Sequence, residues 1–217
     1  MANIDSPFGL RPIRYRGGAP YNGAANPYYV FSTYATALYI GDPVTKVGTS
    51  NTAAVEVPGG GSFGIGTLPS IEKTAAGDVD GDTKRPTGVI VGFSPLPSNL
   101  ENKHNPASTE RVAYVADDPN LEFEIQADGA VPAASMGLNA VFIYTHSGST
   151  TTGLSGAELD TTSDVPAADA SNQMLILRAV NRVDNDTTIT HAKVIVALNC
   201  HTESANNVTA GTGSLGI

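Results

Sequence analysis

The run Asp78-Val79-Asp80-Gly81-Asp82 sets carboxylates at alternate positions, as at the start of a calcium loop whose acidic side chains converge on one hard cation. The helix–loop–helix version of that site also needs Gly at the sixth position and a chelating Glu at the twelfth; here those positions are Thr83 and Val89. No helix-forming segment flanks the run. We read it as an acidic surface turn, with Asp78, Asp80 and Asp82 kept as a weak cation candidate and no metal or other cofactor expected. Gly59-Gly60-Gly61-Ser62-Phe63-Gly64 has the spacing of a dinucleotide-binding fingerprint. That chemistry needs a helix N-terminus to present amides to the pyrophosphate, and Ile65-Gly66-Thr67-Leu68-Pro69 cannot open one. A hairpin loop is the expectation.

The remaining reactive residue types show no constellation. His104, His146, His191 and His201 do not pair at metal-ligand spacing such as i, i+2 or i, i+4. Cys200 is the only cysteine, so an intramolecular disulfide is impossible. It ends the apolar run Val194-Ile195-Val196-Ala197-Leu198 and reads as a small core residue rather than a nucleophile. Its neighbour His201 should point to the opposite face of a strand, so the two should not chelate one ion together. No G-x-S-x-G elbow accompanies the many serines. Trp is absent, which weighs against a sugar-binding platform, although Tyr can serve instead. No enzymatic activity is expected.

Charge narrows the partners. The 217 residues carry a formal net charge of −9, which argues against a nucleic-acid ligand, because phosphate contacts need clustered Lys and Arg. Arg11, Arg14 and Arg16 face one acid, Asp5, near the start of the chain. Between Arg111 and Arg178 there is no Lys or Arg, while Asp117, Asp118, Glu122, Glu124, Asp128, Glu158, Asp160, Asp164 and Asp169 accumulate. A basic head thus precedes an acidic middle. The head either docks on another acidic surface or packs on its own domain. No apolar run reaches the roughly 18 residues that span a bilayer, and the N-terminus lacks the pattern of a secretory signal. A protein made in a cytoplasm, without a membrane partner, is expected.

The scaffold reads as all-β. Twenty-three Gly and 14 Pro with only 15% charged residues are unlike a helical protein. Short strands are expected at 28–32, 37–40, 44–47, 53–57, 68–72, 87–93, 111–116, 121–126, 140–144, 174–183 and 192–200. Leu121-Glu122-Phe123-Glu124-Ile125-Gln126 alternates with period two, the mark of a half-buried strand. Gly41-Asp42-Pro43, Asp117-Asp118-Pro119-Asn120 and Asp184-Asn185-Asp186 supply turns in which Asp or Asn bonds nearby backbone. Residues 131–136 suit one helical turn, with Pro132 near its start. Segments 95–108 and 147–171 read as loops, the second an excursion on the surface or against a neighbour. Together these predict an antiparallel β-sandwich, jelly roll or barrel.

Residues 1–27 form an extended N-terminal arm in this reading, 28–208 the β-rich body and 209–217 a flexible tail. Pro7, Gly9, Pro12, Gly17, Gly18, Pro20, Gly23 and Pro27 forbid a helix in the arm and leave little that could join a ladder. Yet Ile4, Phe8, Leu10, Ile13, Tyr15 and Tyr21 are apolar anchors that a disordered tail would lack. Fully extended, the first fifteen residues reach on the order of 50 Å, enough to cross onto another subunit. Phe8, Leu10, Arg11, Pro12, Ile13, Arg14 and Tyr15 are the candidate partner-binding residues. Deleting residues 1–16 is expected to leave a folded body that no longer binds.

Five blocks recur in order: Ser6-Pro7-Phe8-Gly9-Leu10-Arg11-Pro12, Gly18-Ala19-Pro20-Tyr21-Asn22-Gly23, Tyr39-Ile40-Gly41-Asp42-Pro43-Val44, Thr87-Gly88-Val89-Ile90-Val91-Gly92-Phe93, and Tyr114 through Gln126. The series resembles a family of small capsid decoration, or cement, proteins of tailed phages and prophages, over roughly residues 3–130. The resemblance implies a β-rich body, commonly a homotrimer, on the capsid exterior of a virion assembled in the host cytoplasm. There it would bridge neighbouring major capsid proteins at three-fold positions. Two other roles fit the residues: a tail-tube, fibre or head-fibre component, and a host-surface or glycan-binding β-sandwich.

Overall fold

The computed structural model describes residues 3–79 and 84–203. Its strands, in chain order, are β1 (Arg11–Tyr15), β2 (Asn26–Val30), β3 (Pro43–Ser50), β4 (Val55–Val57), β5 (Gly61–Phe63), β6 (Pro69–Lys73) and β7 (Gly88–Phe93). They continue with β8 (Arg111–Ala116), β9 (Leu121–Gln126), β10 (Asn139–Ala140), β11 (Phe142–Ile143), β12 (Glu158–Leu159), β13 (Met174–Ala179) and β14 (Lys193–Leu198). A 3-10 turn at Ala133–Ser135 follows Pro132, where one helical turn was expected. No helix among the described residues is long and apolar enough to cross a membrane.

The chain is all-β, and among the described strands the pairings are antiparallel except that of β2 with β6. Strands β2-β6-β3-β7-β8 close a barrel, and the parallel β2–β6 contact is the seam. An open sheet of order β1-β9-β14-β13-β10 stands beside it, with β4–β5 and β11–β12 as two-stranded ribbons. A five-stranded barrel beside an open sheet differs from a jelly roll, which folds eight strands as two Greek keys.

Strand periodicity explains how the two bodies share a boundary. Neighbouring residues of a strand face opposite sides. In β7, Ile90 enters the barrel core with Tyr28, Val30, Val44, Ile71 and Val115, while Val89 joins the second core with Leu10, Phe123, Ile125, Phe142 and Ile176. In β8, Val115 and Ala116 divide in the same way. Both faces of these strands are buried, which is why they read as continuous apolar runs rather than alternations.

Strand β9 departs from its pattern. Its alternation predicts a half-buried strand, yet all six residues are buried. The polar face is covered because β9 lies between β1 and β14, and Arg14, Arg178 and Arg182 lay their side chains over Glu122 and Glu124. Segment 147–171 departs too: Gly153 and residues 155–160 are buried and include β12. Two glycines let that backbone inside. A Cβ on Gly153 would lie 2.5 Å from Cβ of Lys103, and one on Gly156 would lie 2.2 Å from the carbonyl oxygen of His146.

Candidate functional site

The opening segment lies along the chain's own body from Asn3 onward. Asn3 Nδ2 donates to the carbonyls of Asp186 and Thr190 at 2.7 and 2.9 Å, and Ser6 N donates to Gln126 Oε1 at 3.3 Å. Phe8 and Leu10 are buried, Leu10 in the core of the open sheet. Leu10 N donates to the carbonyl of Gly41 at 2.9 Å. Residues 11–15 then form β1, antiparallel to β9, although the density of Pro and Gly around them left little expectation of a ladder. The ladder forms because Pro12 and Ile13 sit at a bulge on an edge strand, where a missing N–H is tolerated.

That bulge puts Arg14 opposite Glu122, while Arg178 reaches over from β13, where it stands opposite Ile195 of the intervening β14. Arg14 Nε and Arg178 Nη2 donate to Glu122 Oε2 at 2.8 and 2.5 Å. Burial alone would raise the Glu122 carboxyl, but the hydrogen bonds and charges of Arg178 and Arg14 outweigh it and hold the group below its usual range. Arg182 pairs with Glu124 in the same row. The basic head therefore meets the acidic middle within one chain.

The seven candidate partner-binding residues divide. Phe8, Leu10, Arg11 and Pro12 line an open, mainly apolar cleft of about 260 Å³, whose far wall includes Ile40, Val91 and Leu154. The Arg11 guanidinium stands 4.6 Å over the Phe8 ring and is exposed. Ile13, Arg14 and Tyr15 do not reach this cleft. Arg14 is committed to Glu122, the Ile13 carbonyl accepts from Tyr21 N at 3.1 Å, and Tyr15 packs near Tyr21 with ring centres 6.5 Å apart. Leu10 is only 1% exposed, so it supports the cleft from within.

Gly41-Asp42-Pro43 does more than turn the chain. The Asp42 carboxylate is fully buried; it accepts from Tyr39 N at 2.8 Å and Ser155 Oγ at 2.6 Å, and pairs with Lys73 Nζ at 3.0 Å. Burial raises its carboxyl, and Lys73 and the hydrogen bonds only partly offset this. The turn thereby ties the barrel to the buried 153–160 segment.

Of the weak cation candidates, Asp80 and Asp82 lie outside the described residues. Asp78 is exposed. Burial, followed by the charges of Asp78, Asp160 and Asp169, pushes the Asp164 carboxyl up. The glycine run 59–64 is the turn and second strand of the β4–β5 ribbon, as a hairpin reading requires. Cys200 is buried; its Sγ donates to the Ala170 carbonyl at 3.2 Å, and burial pushes the thiol up to about 11.

A cluster that sequence spacing could not show lies beside the opening segment. Asp5, His146 and Glu158 each offer a ligand atom, all within 4.8 Å of one another. His146 Nδ1 is 3.3 Å from Glu158 Oε2, and Nε2 is 3.5 Å from Asp5 Oδ2. His191 Nδ1 stands 3.6 Å from Asp5 Oδ1. His191 holds a left-handed backbone with φ of 61°, and it directly precedes the segment that becomes β14. Glu158 is buried and accepts from the Thr145 hydroxyl. These residues come from the N-terminal segment, the stretch after β11, β12 and the approach to β14, so no local spacing marks them.

No family model, curated protein or solved structure matches the chain.

Proposed function

We propose that this chain is a non-enzymatic structural protein of a tailed-phage virion, binding the outer capsid surface and bridging major capsid proteins as a homotrimer. The observation that carries the reading is the way the resembling blocks meet in space. Gly9, from the first block, abuts Gly41 of the third. A Cβ on Gly88, from the fourth, would lie 2.5 Å from the Ala116 carbonyl oxygen of the fifth. Gly41 N donates to the Ile90 carbonyl, and Ile90 N to the Asp42 carbonyl, at 2.8 and 3.0 Å. Four of the five blocks that carry the resemblance therefore pack against one another in this chain, which supports the reading.

The cleft walled by Phe8, Arg11 and Pro12 is the surface we assign to the capsid contact. It combines apolar lining with an exposed cation on an acidic protein, and so suits an apolar anchor flanked by a carboxylate. A cement protein acts by mass action. It binds the assembled lattice and not its separate subunits, and so shifts assembly toward the intact shell. Three weak contacts on one trimer gain further by effective concentration.

The test is co-sedimentation of the purified protein with expanded capsids that lack it. Wild type should saturate the shell, and Arg11→Glu should lower affinity about tenfold or more, which corresponds to about 1.4 kcal/mol per site. Unchanged occupancy by a folded Arg11→Glu protein would remove the cleft from the reading. Failure of wild type to bind would remove the reading itself.

A further inference from the structure

We propose that Asp5, His146 and Glu158, with His191 as fourth ligand, bind one divalent transition-metal ion of the zinc type and that this ion clasps the N-terminal segment to the body. The donor set suits such an ion. Imidazole nitrogen with carboxylate oxygen is the chemistry of zinc and its neighbours, whereas calcium and magnesium take oxygen alone. With bonds of about 2.0–2.2 Å, the ligand atoms of a tetrahedral site stand about 3.3 Å apart. The observed separations are 3.3 Å for His146 Nδ1 to Glu158 Oε2 and 3.6 Å for His191 Nδ1 to Asp5 Oδ1. Small side-chain rotations at the exposed Asp5 and His146 would close the set, each residue giving one atom.

Two further observations point to a ligand. His191 Nδ1 is a buried atom that makes no hydrogen bond, although it is aimed at the Asp5 carboxylate. Glu158 is 1% exposed and accepts from the Thr145 hydroxyl, the outer-shell support that orients a ligating carboxylate. Two carboxylates converge on one imidazole ring here, and a dication would balance them. Gly156 is part of the same construction, because only a residue without Cβ lets the backbone pass the His146 carbonyl. The ion would join the segment before β1 to the stretches around β11, β12 and β14. This inference does not rest on capsid binding, since none of Asp5, His146, Glu158 and His191 lines the Arg11 cleft.

The test uses the full chain, stripped with a chelator and titrated with Zn²⁺ by calorimetry and with Co²⁺ by visible absorption. One ion per chain should bind, with the intense visible bands of low-coordinate cobalt. His146→Ala and Asp5→Asn should each weaken binding by more than about 100-fold, since even outer-shell partners are worth about 10–100-fold. Both residues are exposed, so these variants fold even where Glu158→Gln does not. Hydrogen exchange at residues 3–10 should slow on adding Zn²⁺ to wild type and not to His146→Ala. Absence of Zn²⁺ binding at millimolar ion would overturn the site, as would equal affinity in His146→Ala. Binding without slowed exchange would overturn the clasp.

Discussion

Gly9 and Gly41 meet backbone to backbone: a Cβ on Gly9 would lie 2.5 Å from the Gly41 carbonyl oxygen, and a Cβ on Gly41 would lie 2.6 Å from that of Phe8. Both hold positive φ, 72° and 93°, so conformation and contact each require glycine. Gly23 also has positive φ, 86°, but a Cβ there meets nothing within 4 Å. The pair separates two costs. Gly23→Ala should lose about 1 kcal/mol from the left-handed backbone alone. Gly9→Ala should lose a further 1–3 kcal/mol or so from the collision. Urea denaturation of both variants measures the difference, and equal losses would mean that the crossing yields freely.

Glu122 sets an acid limit on the sheet. Its carboxyl is held below its usual value in the folded chain, so its contribution is present above the ordinary carboxylate range and is lost as pH falls through the folded value. Glu122→Gln should cost about 1–3 kcal/mol at pH 7, because two arginines lose a charged acceptor whose carboxylate is buried. The gap between wild type and variant should shrink below about pH 4.5, the ordinary glutamate value. Thermal midpoints from pH 3 to 8 would show it; a constant gap would mean that packing, not charge, is lost.

Strands β8 and β9 match their expected spans residue for residue, because alternation or a continuous apolar run sits between strong turn signals. Residues 37–40 read as a strand but form only isolated bridges, through Leu38 to Asn105 and Ile40 to Leu154. Strand β1 was hidden because Pro12 argues against a ladder, and only the bulge opposite β9 makes it admissible. The charge asymmetry between head and middle was visible in the sequence, but whether it was satisfied within one chain was a question of topology. The Asp5–His146–Glu158 cluster was not legible at all, since its members come from three separate segments.

His104 stacks on Tyr39 with ring centres 5.1 Å apart and planes 10° from parallel, and its Nδ1 is buried without a hydrogen bond. Burial, then the nearby Arg111 charge, lowers its pKa from the ordinary 6.5. The unfolded chain therefore binds protons more readily, and stability falls as pH drops through 6.5 toward the lower folded value. His201 adds to the same slope, its pKa lowered chiefly by burial. His104→Phe keeps the stack and removes the titration. Between pH 7.5 and 5.5 its thermal midpoint should decline less than that of wild type, and an identical decline would exclude His104 as a source.

Cys200 should be inert in the folded chain. The thiol is buried and pushed up to about 11, so at pH 8 almost none is thiolate, the form that reacts. A disulfide-exchange reagent should label it only after denaturation, at a rate that follows unfolding. Rapid labelling of native protein would show that the region around Ala170, whose carbonyl accepts from Sγ, opens locally.

The opening segment is best tested by parts, because its residues do different work. Deletion of residues 1–16 removes Leu10 from the core of the open sheet and strips β9 of its β1 partner, exposing the Glu122 row. The sequence alone suggested a separable arm; the burial of Leu10 and the β1–β9 ladder predict instead that the deletion lowers stability. Leu10→Ala alone should cost about 2–5 kcal/mol, the usual range for a buried leucine. Arg11→Ala, at an exposed position, should stay within about 0.5 kcal/mol of wild type. Denaturation midpoints of the three proteins make the comparison. If the deletion variant kept wild-type stability, the ladder to β9 would contribute nothing, and the segment would be free to leave its own body for a neighbour.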